Sequence, residues 1–192
     1  WDGLRLYAPP RDNMQYFIGA DISEGLAMGD ASSCFILDQN YKQVGRWHGK
    51  LDPDLFGHLL IALGELYNNA LLIPEKNNMG LPTVLTIRNE CYPKLYKEVY
   101  EDKVTKKKSE RYGWVTSAQS KMTMLNEYIT LLRDKDIGIL DIRLAEEMSL
   151  VAREENGSVN LNGKDVADAK AGPMWKKMIN IYQQYKQELR QA

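Results

Sequence analysis

Apolar positions along this chain follow two rhythms. Residues 16–20 (YFIGA) are apolar without alternation, the pattern of a strand buried on both faces, and they deliver one carboxylate, Asp21. Residues 32–38 and 44–48 read as two further strands, with Gln39-Asn40 as turn chemistry between them. The three together predict an antiparallel meander. At residue 52 the period changes to that of a helix. Asp52 is placed to cap it, Pro53 suits its first position, and Leu55, Leu59, Leu63 and Leu66 form a stripe running to about Asn69. A compact strand follows at residues 70–73, then Pro74-Glu75-Lys76-Asn77-Asn78-Met79-Gly80, then a short helix over 81–89. Residues 117–133 predict a longer helix, capped by Ser117 or Ser120, with Met122, Leu125, Ile129 and Leu132 as its stripe. Beyond it the pattern gives a strand at 137–142, a helix at 144–150 and a hairpin of 151–154 and 158–161 turning at Asn156-Gly157. A helix begins near Asp165 and breaks at Gly172-Pro173, and a last helix spans 175–192. Residues 1–15, punctuated by Pro and Arg, read as an arm or linker, and 16–192 as one α/β domain.

Composition narrows the function classes. The 192 residues are 44% hydrophobic, enough for a core and too many for a disordered chain. Lys and Arg total 25 against 26 acids, so nucleic-acid binding would need a local patch. Residues 103–111 (KVTKKKSER) are such a patch, flanked by Tyr96, Tyr100, Tyr112 and Trp114; they are a solvated tip or a phosphate-contacting arm. Cys34 and Cys91 are the only cysteines and lie in apolar or mixed contexts without CxxC spacing, which favours a reduced, intracellular setting. With His48 and His58 the only histidines, a structural zinc site lacks ligands. No run approaches the ~20 apolar residues of a membrane span, and no phosphate-binding P-loop is present. The first residue is Trp1, with neither an initiator Met nor a signal peptide, so the expectation is a domain excised from a longer protein.

The remaining chemistry is acidic. Asp21 and Glu75 end two buried strands, where a carboxylate is costly unless paired or bound to a cation; Asp21 alone also fits a turn-capping role. Asp165 and Asp168, three apart, share one helix face, and acids in a first turn also suit the helix dipole. Carboxylate oxygens are hard ligands that favour Mg²⁺ or Mn²⁺, and clusters of them serve two-metal phosphodiester hydrolysis.

Three stretches together resemble the acidic motifs of one family. They are Tyr16-Phe17-Ile18-Gly19-Ala20-Asp21, Pro74-Glu75-Lys76-Asn77-Asn78-Met79-Gly80 and Gly163-Lys164-Asp165-Val166-Ala167-Asp168-Ala169, and the family is the nuclease domain of tailed-phage terminase large subunits. The second stretch is the most specific. The resemblance implies an RNase H-like fold, a mixed central sheet flanked by helices on both faces. It implies a metal-dependent endonuclease that cuts concatemeric duplex DNA during viral packaging in the host cytoplasm, using one or two Mg²⁺ or Mn²⁺ ions. Asp21 and Glu75 would bind metal, with Asp165 as the third ligand and Asp168 assisting. The family often has two adjacent acids in the third motif; Lys164 stands in place of one. Asp30 could also lean into the site. The implied partners are duplex DNA, a portal protein, a small terminase subunit and an ATPase domain of the same protein. Lys103, Lys106, Lys107, Lys108 and Arg111 fall where family members often carry a hairpin, and would touch the DNA backbone. The alternatives are a non-catalytic DNA-binding or assembly module, which Lys164 favours, and another RNase H-like enzyme such as a junction resolvase or RNase H.

Overall fold

A computed structural model describes residues 2–77, 79–101, 106, 108–117, 126, 130–142, 151–153 and 159–161. The predicted meander is present as β2 (Tyr16–Asp21), β3 (Ser32–Asp38) and β4 (Gln43–Gly49), paired antiparallel in sequence. The N-terminal arm contributes β1 (Leu4–Leu6), which lies antiparallel on β4 and closes that edge. On the other side β5 (Leu71–Pro74) joins β2 in parallel. The sheet order is therefore β1-β4-β3-β2-β5, a mixed sheet with β3 in the middle and β2 between it and β5.

A parallel neighbour requires a crossover, and α1 (Pro53–Leu66) supplies it between β4 and β5. Pro53 takes the first turn as predicted, but the Asp52 side chain makes no cap hydrogen bond. The buried stripe also differs from the expected one. Phe56, Leu59, Leu60 and Leu63 are buried, whereas Leu55 and Leu66 are 49% and 47% exposed. At about 100° per residue the buried four span about 100° of the helix surface, and Leu55 and Leu66 fall about 90° and 70° to one side of its centre. The buried four pack with Tyr16, Ile18 and Ala20 of β2, Cys34 and Ile36 of β3 and Trp47 of β4. Each such burial is worth roughly 1.5–3 kcal/mol. Tyr67, just past α1, stacks edge-on against Tyr16 and its hydroxyl donates to the Ala8 carbonyl at 2.8 Å, anchoring the N-terminal arm. Then α2 (Gly80–Asn89) follows β5, and buries Val84 and Ile87.

Alternation sends Phe17, Phe35, Leu37 and Ile73 to the opposite face, where they are also buried. Residues 130–133 are helical, with Leu131 buried, and lead to a segment that meets this face. The expected strand at 137–142 is reduced to one bridge, Gly138 with Lys42. Gln43 explains it: its Oε1 takes the N–H groups of Leu140 and Asp141 at 2.9 and 3.0 Å, so a side chain replaces the ladder. Arg46 and Asp141 form a buried ion pair, N to O 2.5 Å, beneath this segment.

Past α2, residues 94–96 run parallel to β5 through a Leu72–Leu95 bridge, and residue 114 resumes the pairing through Glu75–Trp114. Between them the chain leaves as a hairpin, β6 (Lys97–Glu101) and β7 (Lys108–Tyr112). The predicted later hairpin is present as β8 (Val151–Arg153) and β9 (Val159–Leu161), antiparallel.

Candidate metal centre

β2 and β5 run parallel, so their carboxyl ends reach the same edge of the sheet. Ala20 pairs with Pro74, which makes Asp21 and Glu75 the next neighbours in register. Adjacent strands lie about 4.8 Å apart, and in-register residues share a face. The Glu75 N–H donates to the Ala20 carbonyl at 2.8 Å, fixing that register at the site itself. Two acids 54 positions apart in the sequence (75 − 21) thus take neighbouring positions on adjacent strands. The same line continues across the sheet through Asp21–Ser33 and Ser33–His48. On its other flank Glu75 bridges Trp114.

Glu75 is only 7% exposed. A carboxylate so buried requires compensation, and Asn77 gives part of it: its Nδ2 donates to Glu75 Oε1 at 3.3 Å. The same nitrogen donates to the Thr116 carbonyl at 3.0 Å. Backbone bonds tie the same neighbourhood, from Trp114 N to Pro74 O at 2.8 Å and from Lys76 N to Trp114 O at 2.7 Å. The turn after Glu75 closes through Gly80, whose N–H donates to the Asn77 carbonyl at 3.1 Å. A Cβ at Gly80 would stand 1.8 Å from the Glu75 carbonyl oxygen, so only glycine fits there.

Asp21 opens onto a cleft of about 460 Å³, lined also by Ile22, Ser23, Glu24, Asp30 and Met79. Asp30 therefore borders the same space as Asp21, as the sequence allowed. The Ser23 hydroxyl donates to the Asp30 carbonyl at 2.8 Å, which holds this loop in shape. A larger cavity of about 510 Å³ lies around Trp47, Leu55 and His58 and includes neither acid. His58 is exposed on α1 at its rim.

No protein-family profile matches the chain, and no curated protein sequence matches it. Solved structures do. The large terminase nuclease from thermophilic phage G20c with bound magnesium superposes with a TM-score of 0.69 at 15% identity, over 96% of this chain and 88% of that one. The same nuclease with bound cobalt gives 0.71 at 14% identity, over 96% and 88%. The Thermus phage P74-26 large terminase nuclease domain gives 0.68 at 15% identity, over 97% and 87%. The chain has the large terminase nuclease fold. It is α/β and RNase H-like, a mixed sheet with flanking helices, as the acidic motifs led one to expect.

Within this terminase-nuclease fold, the acids expected from the first two motifs stand together. Asp165 and Asp168 lie outside the described residues, and among the described residues no group of three or more His, Cys, Asp or Glu could hold a metal ion. Residues 108–111 of the basic segment lie in β7 of a hairpin, and Trp114, two residues past β7, bridges Glu75. Lys103 and Lys107 lie outside the described residues; Lys106 and Lys108 are exposed. Arg111 is committed within the hairpin, its Nη2 donating to Glu98 at 2.6 Å, and Lys97 pairs with Glu110 at 2.8 Å. Sequence reasoning assigned no role to Asn77, Trp114 or Thr116. Asn77 stood inside the most specific stretch, so its signal was present; Thr116 acts through its main chain and leaves none.

Proposed function

We propose that this chain is the nuclease domain of a phage large terminase, a divalent-metal-dependent endonuclease that cuts concatemeric duplex DNA during packaging. The observation that carries the reading is the side-by-side placement of Asp21 and Glu75 at the carboxyl ends of two parallel strands. The fold supports it, since nucleases sharing that fold were crystallised with magnesium, cobalt or zinc. The donor set fits such an ion: hard carboxylate oxygens, one of them from a buried glutamate. Asp21 and Glu75 would hold Mg²⁺ or Mn²⁺, with Asp165 as third ligand, Asp168 assisting, and Asp30 at the rim of the cleft. When bound, one or two such ions acidify an attacking water and stabilise a leaving oxygen in phosphodiester hydrolysis.

The chain's own residues orient the substrate. Exposed Lys106 and Lys108 on the hairpin, with Lys103 and Lys107, would neutralise backbone phosphates without reading sequence; Arg111, already paired with Glu98, would contribute less. The context of action would be the host cytoplasm, with a portal protein, a small terminase subunit and an ATPase domain as partners. Among the described residues no helix is long and apolar enough to cross a membrane.

Supercoiled plasmid incubated with Mn²⁺, Mg²⁺ or chelator tests the reading. Nicking should require the ion and vanish in Asp21→Ala and Glu75→Ala. Nicking that persists in chelator or in both variants discards it. Duplex binding without nicking in any metal would favour the non-catalytic assembly module, and preference for four-way junctions or RNA–DNA hybrids would point to a resolvase or RNase H. Replacing Lys106 and Lys108 by Ala should weaken duplex binding and flatten its salt dependence by about one unit of slope per lost phosphate contact; an unchanged slope removes the hairpin from the DNA interface.

A further inference from the structure

We propose that Asn77 is the positioning residue of the cation site, holding the Glu75 carboxylate in one orientation against the main chain of Thr116. The inference rests on the reading of Glu75 as a cation ligand. A carboxamide nitrogen carries two hydrogens, and Asn77 directs them at Glu75 Oε1 at 3.3 Å and the Thr116 carbonyl at 3.0 Å. The Thr116 carbonyl is the main-chain anchor: it lies two residues beyond Trp114, whose N–H is held by Pro74, and the Asn77 carbonyl itself takes the Gly80 N–H. The amide plane is thereby set from the main-chain side, and it sets the carboxylate in turn.

The choice of an amide has a chemical consequence. A lysine or arginine at this position would orient the carboxylate equally well but would cancel the charge that attracts a cation. A neutral donor orients and leaves the charge in place. Glutamate loses up to about 2 kcal/mol of rotamer freedom when immobilised. With Asn77 in place, folding rather than cation binding carries most of that loss. The link to Thr116 also gives a role to the segment just past the hairpin, which pairs with Glu75 through Trp114: it supplies the far anchor of the positioning amide.

Calorimetric titration of residues 1–192 with Mn²⁺ separates this role from a structural one. Partners of metal ligands typically change ion affinity by about 10- to 100-fold. Asn77→Ala should weaken Mn²⁺ by that factor while still folding cooperatively, its melting temperature lowered only by the few degrees that a lost hydrogen bond costs. Its plasmid nicking should recover as Mn²⁺ is raised, whereas Glu75→Ala nicking should not. Asn77→Leu, similar in size and without a donor, should behave like Asn77→Ala and guards against an effect of the vacated space. Unchanged Mn²⁺ affinity in both Asn77 variants, with affinity lost in Glu75→Ala, overturns the positioning role and leaves the site. Unchanged affinity in Glu75→Ala overturns the site and the positioning role with it. Failure of both Asn77 variants to fold overturns the proposal in favour of a purely structural residue.

Discussion

Gly80→Ala replaces a hydrogen by a methyl group at the tightest point of the candidate site. An ideal Cβ there stands 1.8 Å from the Glu75 carbonyl oxygen and 2.8 Å from its carbon. Real contacts of this kind need more than 3 Å, so backbone must move by over 1 Å. The neighbour cannot yield cheaply, because the Glu75 N–H is bonded to Ala20 in the sheet at 2.8 Å. Overpacking of this sort costs about 1–3 kcal/mol. Against it stands a gain of about 0.4–1 kcal/mol from a stiffer unfolded chain. The midpoint of the two ranges is a net loss of about 1.3 kcal/mol, which for a chain of this size lowers the melting temperature by roughly 3–5 °C. Differential scanning calorimetry reads it directly. Gly29→Ala is the control, since its Cβ meets Leu26 atoms only at 3.4 and 3.6 Å, and it should stay within about 0.5 kcal/mol of the parent. Because the forced shift falls on Glu75 itself, Mn²⁺ affinity should drop in Gly80→Ala and hold in Gly29→Ala. A Gly80→Ala variant as stable as its parent, with Mn²⁺ affinity intact, would refute the claim that the turn is built on this close approach.

Other consequences follow from buried polar groups. Asp141→Ala strands Arg46 without its partner and should cost about 3–5 kcal/mol in urea unfolding, with less than 1 kcal/mol counting against a true buried pair. Tyr67 is pushed up to about 12 by burial, with a smaller contribution from Tyr16, against 10.0 when unfolded. Its folded form thus keeps the proton longer, so its stabilisation is complete below pH 10 and is lost as pH rises from 10 to 12. Burial raises Tyr92 and Tyr96 in the same direction. Urea midpoints should therefore fall steeply across that window, and less so in Tyr67→Phe; an equal fall in the variant would reject the assignment to Tyr67. Tyr92→Phe removes the 2.6 Å bond to the Ala70 carbonyl and should cost about 1–2 kcal/mol, read from the same unfolding curves.

The fold was legible where sequence and sheet obey one rule at a time. The apolar runs of β2 and β3 are buried on both faces and show as unbroken runs, so their bounds could be read closely. The arm strand Leu4–Leu6 could not, because three half-exposed residues on an edge carry no period. The same holds at 137–142, where the apolar run is strand-like but Gln43 takes the N–H groups that a ladder would use. A side chain almost a hundred positions upstream decides that segment, and no local pattern contains it.

The candidate site divides along the same line. Asp21 and Glu75 were visible because each breaks an apolar run where burial alone forbids a charge, and each break needs a reason. Their adjacency was not visible, since it depends on β5 joining β2 in parallel rather than pairing at the far edge. Once α1 has packed on the face of β2, β3 and β4 through Phe56, Leu60 and Trp47, the chain re-enters next to β2 with its direction preserved. The crossover that buries the core is therefore also what brings the two carboxylates to one end. Asn77 shows the limit of pattern reading from the other side. Its letter stands in a motif, but its work is done on a carbonyl 39 positions away, across an inserted hairpin whose length the motif does not constrain. Hairpin length can therefore vary between Lys97 and Tyr112 without disturbing the cation site, provided the chain returns Trp114 and Thr116 to the edge of β5. Shortening the β6–β7 loop at its tip should accordingly leave Mn²⁺ affinity unchanged, while any deletion that displaces Thr116 should lower it as Asn77→Ala does.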